Sequence, residues 1–235
     1  KTAYEIGLGI PAEPLFRFGS DHKDVYQSID LLRQITLGEE VHLTEKIVVI
    51  GGGNVAMDIT RSLARLQQKK YGKVGVITTS LETEDKMPAD REEVVEAREE
   101  GAIVNPGWAP QRIEIENDEI KGLHVAQCFS LFDDEGKFNP QCNLDNTQFF
   151  EGSMVVESIG QGMDLSYLSE DIKHELKIDK RGRIEVNENF QTGLPWLFLG
   201  GDIIQGPDVI HGIANGHKAA RGIDGFLFEE SEEKN

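Results

Sequence analysis

Long apolar runs are missing from this sequence. None approaches the roughly 20 residues that a membrane-crossing helix requires, so no membrane insertion is expected. Cysteine is scarce: Cys128 and Cys142 are too few for a disulfide framework or for holding an iron–sulfur cluster, and they do not form a Cys-x-x-Cys pair. The opening residues, KTAYEIGLGIPAEP, lack the basic-then-apolar order of a secretory signal, and a cytoplasmic location is expected. Positive charge is in deficit. Twenty-four Lys and Arg against 42 Asp and Glu leave a net charge of −18, which repels phosphate backbones and argues against nucleic-acid partners. There is no Gly-x-Ser-x-Gly elbow and no P-loop lysine, which argues against hydrolase and kinase chemistry. The six histidines, His22, His42, His124, His174, His211 and His217, show no metal-ligand spacing, and no metal site is expected.

What remains is enough for one core or two small ones: 235 residues, 38% apolar and 28% charged. Residues 46–50, KIVVI, form a β-branched run of the kind found in a buried parallel strand. A helix is predicted from about Val55 to Lys69, with Val55, Ile59, Leu63 and Leu66 on one face, followed by a second buried strand at 73–79. Pro88 and the acids after it open another helix that stops at Gly101. Strands follow at 102–104, 111–116 and 121–132, the last two joined by Asn117 and Asp118 as a hairpin-like turn. Residues 133–140 read as a turn region and 153–160 as an apolar strand ending in glycine. Further strands are expected on either side of Arg181 and Gly182 and in PWLFLGGD, and a long C-terminal helix from Asp208. The fold class is α/β, a Rossmann-like parallel sheet with helices and an antiparallel insert. The acidic stretches LETED, ADREEVVEAREEG and EESEEK read as solvated helix faces and a frayed end, with a docking patch for a basic partner as the alternative.

The chemistry sits in the turn after the first strand. Gly51, Gly53 and Ala56 have G-x-G-x-x-G/A spacing between a strand and a helix, and Gly52 completes the glycine cluster. Gly51 permits the tight turn and Gly53 leaves room for a pyrophosphate. Ala56 lets the helix pack close, while the N–H groups around Asn54 and Val55 face the anion with the positive end of the helix dipole. Asn54 caps the helix or touches phosphate, and Asp58 complements the dipole. At the end of the second strand an acid would read the ribose of NAD and a base the 2′-phosphate of NADP; Thr78, Thr79 and Ser80 are neither. Glu82 and Glu84 follow within reach, Lys86 and Arg91 lie further along, and hydroxyls serve either nucleotide, so NAD and NADP both stay open. Gly160 and Gln161 end a later strand at the same edge of the sheet, where ligands bind.

Four motifs in order, VVIGGGNVAMD (48–58), MPAD…EA.EEG (87–101), VVESIGQ (155–161) and P…FLGGDIIQGPDVIHGIANGHKAARGID (195–224), resemble the NADPH-dependent glutamate synthase small-chain family. More broadly they resemble flavoproteins with two dinucleotide-binding domains. That resemblance implies NAD(P) and FAD as cofactors and hydride transfer between them, with electrons passed to an iron–sulfur subunit or domain. It implies an NAD(P)-binding domain at 46–165 and parts of an FAD-binding domain at 1–45 and 166–235. It places Gly201, Asp202 and Asp208 in a flavin signature, with the amides near Val209 and Ile210 facing the flavin ring, and it names no catalytic side chain. The family's paired arginines after the second strand are not at Thr78-Thr79, and its first FAD glycine fingerprint does not appear upstream, so weak FAD retention by this piece is expected. The alternative function is a non-catalytic nucleotide-binding or scaffold module of an electron-transfer complex.

Overall fold

A computed structural model describes residues 19–132, 135, 138–160, 165–179, 183–204 and 209–233. The chain divides into two units, one ending at Gly160 and the other beginning at Gln161.

The first unit is built on a parallel sheet. Its strands are β1 (Val25–Gln27), β2 (Ile47–Ile50), β3 (Val76–Ser80), β4 (Ile103–Pro106) and, after an insert, β8 (Met154–Glu157). Their order is β1-β8-β2-β3-β4, and every neighbouring pair is parallel. Helices α1 (Ser28–Leu37), α2 (Asn54–Tyr71) and α3 (Arg91–Glu99) make the crossovers. The insert is an antiparallel sheet of β5 (Trp108–Glu116), β6 (Glu119–Phe132) and β7 (Phe138–Glu151). Asn117 and Asp118 join β5 to β6, both with positive φ (52° and 62°), the conformation a tight hairpin turn demands.

The unbroken apolar runs of β2 and β8 follow from burial on both faces. Ile47, Val49, Met154 and Val156 pack with Leu31 of α1, Ile59 and Leu63 of α2 and Val94 and Ala97 of α3. Val48, Ile50 and Val155 point the other way, onto Ile113, Leu123, Val125 and Phe150 of the insert. The insert thus takes the place that a second helical layer occupies in a doubly wound fold. Buried Gln67 ties the bottom of the sheet: its Nε2 donates to the Thr44 carbonyl at 2.7 Å, and its Oε1 accepts from Gly75 N at 2.7 Å.

Several expectations change. Segment 19–45, expected with a flank, contributes β1 and α1 to this unit, because β1 closes the edge of the sheet beside β8. Val55, expected on the buried face of α2, is 39% exposed; Ala56, Met57, Ile59, Leu63 and Ala64 form that face instead. Strand β7 lies partly where a turn was expected and extends through a polar stretch with no strand signal of its own. Glu93 and Glu96 of α3, and Glu100 just past it, are held by arginines of α2, while Glu92 and Glu99 are exposed. Arg61 of α2 pairs with Glu93, with Glu96 at 2.5 Å and with Glu100 at 3.1 Å, while Arg65 reaches Glu100 at 2.6 Å.

In the second unit, α4 (Glu170–Glu175) is capped by Ser169, whose Oγ accepts from Ile172 N at 3.5 Å. Single bridges join Ile178 to Ile184 and Gln191 to Phe198, so PWLFLGGD is not a regular strand; the residues around Arg181 lie outside the described set. A 3-10 turn at Gly201–Ile203 precedes α5 (Val209–Glu233). Gly222 lets α5 approach the backbone at Asn189, where a Cβ would meet the Asn189 carbonyl oxygen at 2.1 Å.

Candidate dinucleotide-binding site

The glycine turn leaves the carboxyl end of β2, fixed by backbone bonds to three segments. Gly51 N donates to the Thr79 carbonyl (2.8 Å), Ala89 N to the Gly52 carbonyl (3.0 Å) and Ser158 N to the Ile50 carbonyl (2.7 Å). Strands β8, β2 and β3 therefore end together around the turn, at the edge where open α/β sheets bind ligands.

The three glycines have different reasons to be glycine. Gly51 has φ 151°, and a Cβ there would lie 2.4 Å from the Ser158 carbonyl oxygen. At Gly52 a Cβ would meet Glu82 Oε2 at 2.7 Å and Ser80 Cβ at 2.9 Å. At Gly53 nothing lies within 4 Å of that position, and its φ of −95° suits any L residue. The protein's own packing requires glycine at Gly51 and Gly52. At Gly53 it does not, and the open space is what a bound pyrophosphate would use.

Gly53 is also the N-cap of α2, which has no side-chain cap and no acid in its first turn. The helix dipole is left uncompensated there, the setting in which an anion is stabilised. Asn54 does not supply the cap. Its Oδ1 accepts from Asp90 N at 2.8 Å and its Nδ2 donates to Asp90 Oδ2 at 3.2 Å, which latches the entry to α3 against the start of α2. Asp58 lies beyond the first turn; partial desolvation and the nearby Glu93 raise its pKa, against Arg61. Val55 stands exposed beside the turn and Ala56 is fully buried against the sheet.

Thr78 and Thr79 are turned into the protein, while Ser80 lies against the glycine turn, its Oγ 3.3 Å from where a Cβ at Gly52 would stand. β3 is an interior strand, so all three are 1–2% exposed, and each hydroxyl is engaged inside the protein. Thr78 meets the Thr60 hydroxyl at 2.6 Å, Thr79 donates to the Trp108 carbonyl at 2.9 Å, and Ser80 donates to the Glu82 carbonyl at 3.1 Å. Beside Ser80, the side chain of Glu82, two residues past the strand, also reaches the turn. Its main-chain carbonyl also accepts from Gly107 N at 2.7 Å, and burial raises its carboxyl pKa, opposed by hydrogen bonding to its own backbone.

Gly160, with φ 94° and exposed, closes β8 at the same edge, while Gln161 lies outside the described residues. Glu157 is 4% exposed. Its Oε2 accepts from Gln27 Nε2 at 2.7 Å and its Oε1 has no hydrogen-bond partner among the described residues; burial raises its pKa. Among the described residues no group of His, Cys, Asp and Glu could hold a metal, and no helix is long and apolar enough to cross a membrane. Cys128 and Cys142 face each other across β6 and β7, and burial first, then Cys142, pushes the Cys128 thiol up to about 12, so it is not a ready nucleophile.

In the second unit, Gly201 has φ 78° and Asp202 beside it is exposed. Val209 and Ile210, at the start of α5, are 77% and 79% exposed; Asp208 lies outside the described residues.

A glycine turn at the carboxyl edge of a parallel sheet, opening an uncapped helix, defines the dinucleotide-binding class of α/β folds. The chain belongs to the pyridine nucleotide-disulphide oxidoreductase family, which it matches over residues 6–221. It is 36% identical over 204 residues to the NADP(+)-dependent formate dehydrogenase subunit beta of Moorella thermoacetica, covering 85% of this chain and 27% of that protein. It is 32% identical over 191 residues to the glutamate synthase [NADPH] small chain of Escherichia coli, covering 78% of this chain and 39% of that protein. The chain thus spans well under half the length of these relatives. Among solved structures, T. acidophilum thioredoxin reductase superposes with a TM-score of 0.62 at 18% identity, covering 96% of this chain and 60% of that one.

Proposed function

We propose that this chain is the pyridine-nucleotide-binding portion of a flavin-dependent oxidoreductase of the glutamate synthase small-chain type. Hydride passes between NAD(P)H and FAD, and the electrons go on to iron–sulfur or other acceptors. The observation that carries this reading is Gly53: a glycine the fold does not need, at an uncapped helix start, facing open space. Gly51 and Gly52 shape the turn, Gly53 leaves room for the pyrophosphate, and the free N–H groups at the start of α2 hold its charge. Gly160, just past the neighbouring strand, borders the nucleotide, and Gln161 is assigned to the same site from the sequence. In this reading residues 46–165 are the NAD(P)-binding domain and 166–235 belong to the FAD-binding domain, with Gly201, Asp202, Asp208, Val209 and Ile210 on the flavin side. The nicotinamide supplies the hydride, and the protein's part is binding and orientation, so no acid–base side chain is assigned. The family match and the two relatives, both redox subunits by name, support this reading.

The test is a fluorescence titration of the 235-residue chain with NADH and NADPH, repeated with Gly53→Val. The variant is expected to unfold within about 1 kcal/mol of the parent, the cost of a poorer helix cap. It is expected to lose at least about thirtyfold in nucleotide affinity, as a blocked pyrophosphate cradle requires. A parent chain that binds neither nucleotide, or a variant that binds as well as the parent, overturns the reading.

A further inference from the structure

The carboxylate lying on the glycine turn is a discriminating group. We infer that Glu82 reads the adenosine ribose and makes this chain select NADH over NADPH, an inference that rests on the pyridine-nucleotide reading of the turn. β3 runs parallel to β2 in register Ile50↔Thr79, so the segment after Ser80 emerges beside Gly51–Gly53. Glu82 Oε2 is so close to Gly52 that a Cβ there would stand 2.7 Å from it. The carboxylate is not free to swing on a loose loop. The Glu82 main-chain carbonyl is held by Gly107 N at 2.7 Å and by the Ser80 hydroxyl at 3.1 Å, which fixes the residue at the end of the sheet.

A carboxylate in that place accepts hydrogen bonds from the 2′- and 3′-hydroxyls of a ribose, and it repels a 2′-phosphate. The surrounding charge is mixed, with Lys86 at the end of the same segment and Arg91 at the start of α3 as its basic groups. Glu84 and Asp85 follow in the same segment. Arg98, which could neutralise a phosphate, is committed to Glu84 at 2.7 Å and to the Val104 carbonyl at 3.4 Å. Arg61 and Arg65 are taken up by Glu93, Glu96 and Glu100. The Thr78 and Thr79 hydroxyls are turned inward and the Ser80 hydroxyl beside Gly52 is neutral, so Glu82 is the charged group of this segment that meets the turn. The two relatives described above carry NADP(+) and NADPH in their names, so the choice made here departs from theirs.

Separate calorimetric titrations with NADH and NADPH test it on the parent chain, Glu82→Gln and Glu82→Arg, each first checked for a cooperative unfolding transition. The parent is expected to bind NADH at least tenfold more tightly than NADPH. Glu82→Gln, nearly the same shape without the charge, is expected to bring the two within about threefold, chiefly by improving NADPH. Glu82→Arg is expected to reverse the order. A parent that binds NADPH as well as NADH, or a Gln variant that keeps the tenfold ratio, overturns the inference and leaves the nucleotide site standing. A parent that binds neither nucleotide removes the site itself and the inference with it.

Discussion

Thr60 and Thr78 meet hydroxyl to hydroxyl at 2.6 Å in the buried layer between α2 and β3. Thr60 spends its proton on the Ala56 carbonyl, also at 2.6 Å, so Thr78 is the donor between the two. The pair fastens the first turns of the crossover helix to the strand, and with them the angle at which the glycine turn is held. Thr78→Val keeps the shape and removes this one bond, with the Thr60 proton still satisfied. The expected loss is about 1 kcal/mol in urea unfolding, with affinity for reduced nicotinamide nucleotide unchanged within about twofold. A large affinity loss with little change in stability would instead place Thr78 on the ligand.

Gly51 and Gly53 are separated by a single residue and are expected to fail differently. Gly51→Ala forces a Cβ into the Ser158 carbonyl at 2.4 Å with φ at 151°, so the turn must open. A cost of roughly 2–4 kcal/mol is expected, as for a strained backbone position. It would register as a lowered urea midpoint even without nucleotide, whereas Gly53→Val registers in nucleotide binding. Equal stability losses for both would mean that Gly53 is held by the fold.

Glu157 makes the stability of the sheet depend on pH. Burial raises its folded-state pKa above the ordinary carboxylate value, so the folded protein binds its proton more tightly than the unfolded chain does. Its contribution is fully present below the unfolded pKa and is lost as pH rises through the folded one. Glu157→Gln, which still accepts from Gln27, removes that loss. The difference in unfolding free energy, variant minus parent, is expected to grow in the variant's favour as pH rises above the ordinary carboxylate range. A flat difference would count against a buried, proton-holding carboxyl. The difference between the two proteins is the quantity to follow, because the Glu82 carboxyl is raised as well.

The parts of the fold legible in the sequence are those whose signal is local. Strand β2, the glycine turn and α2 were readable because a buried parallel strand must be apolar on both faces, and a close-packed turn must be glycine. The hairpin at Asn117-Asp118 was readable because few residues accept positive φ in succession. Strand β7 was not, since Asn, Gln and Asp dominate it and its partner β6 supplies the pairing. The same holds for β1, three residues long, which exists because β8 needs a neighbour at the edge of the sheet.

The site divides in the same way. By itself, the sequence of this protein determined that a strand, a three-glycine turn and a helix stand together, and that the glycines suit a dinucleotide. Composition alone argued against nucleic acid and a membrane span. Only the tertiary structure decided which groups face the turn. Two hydroxyls that looked available at the end of β3, those of Thr78 and Thr79, are turned inward, because an interior strand spends its polar groups on neighbours. Asn54 is drawn to Asp90 at the entry to α3. The carboxylate of Glu82, two residues past the strand, lies on Gly52, because the backbone bond from Gly107 sets where the chain turns.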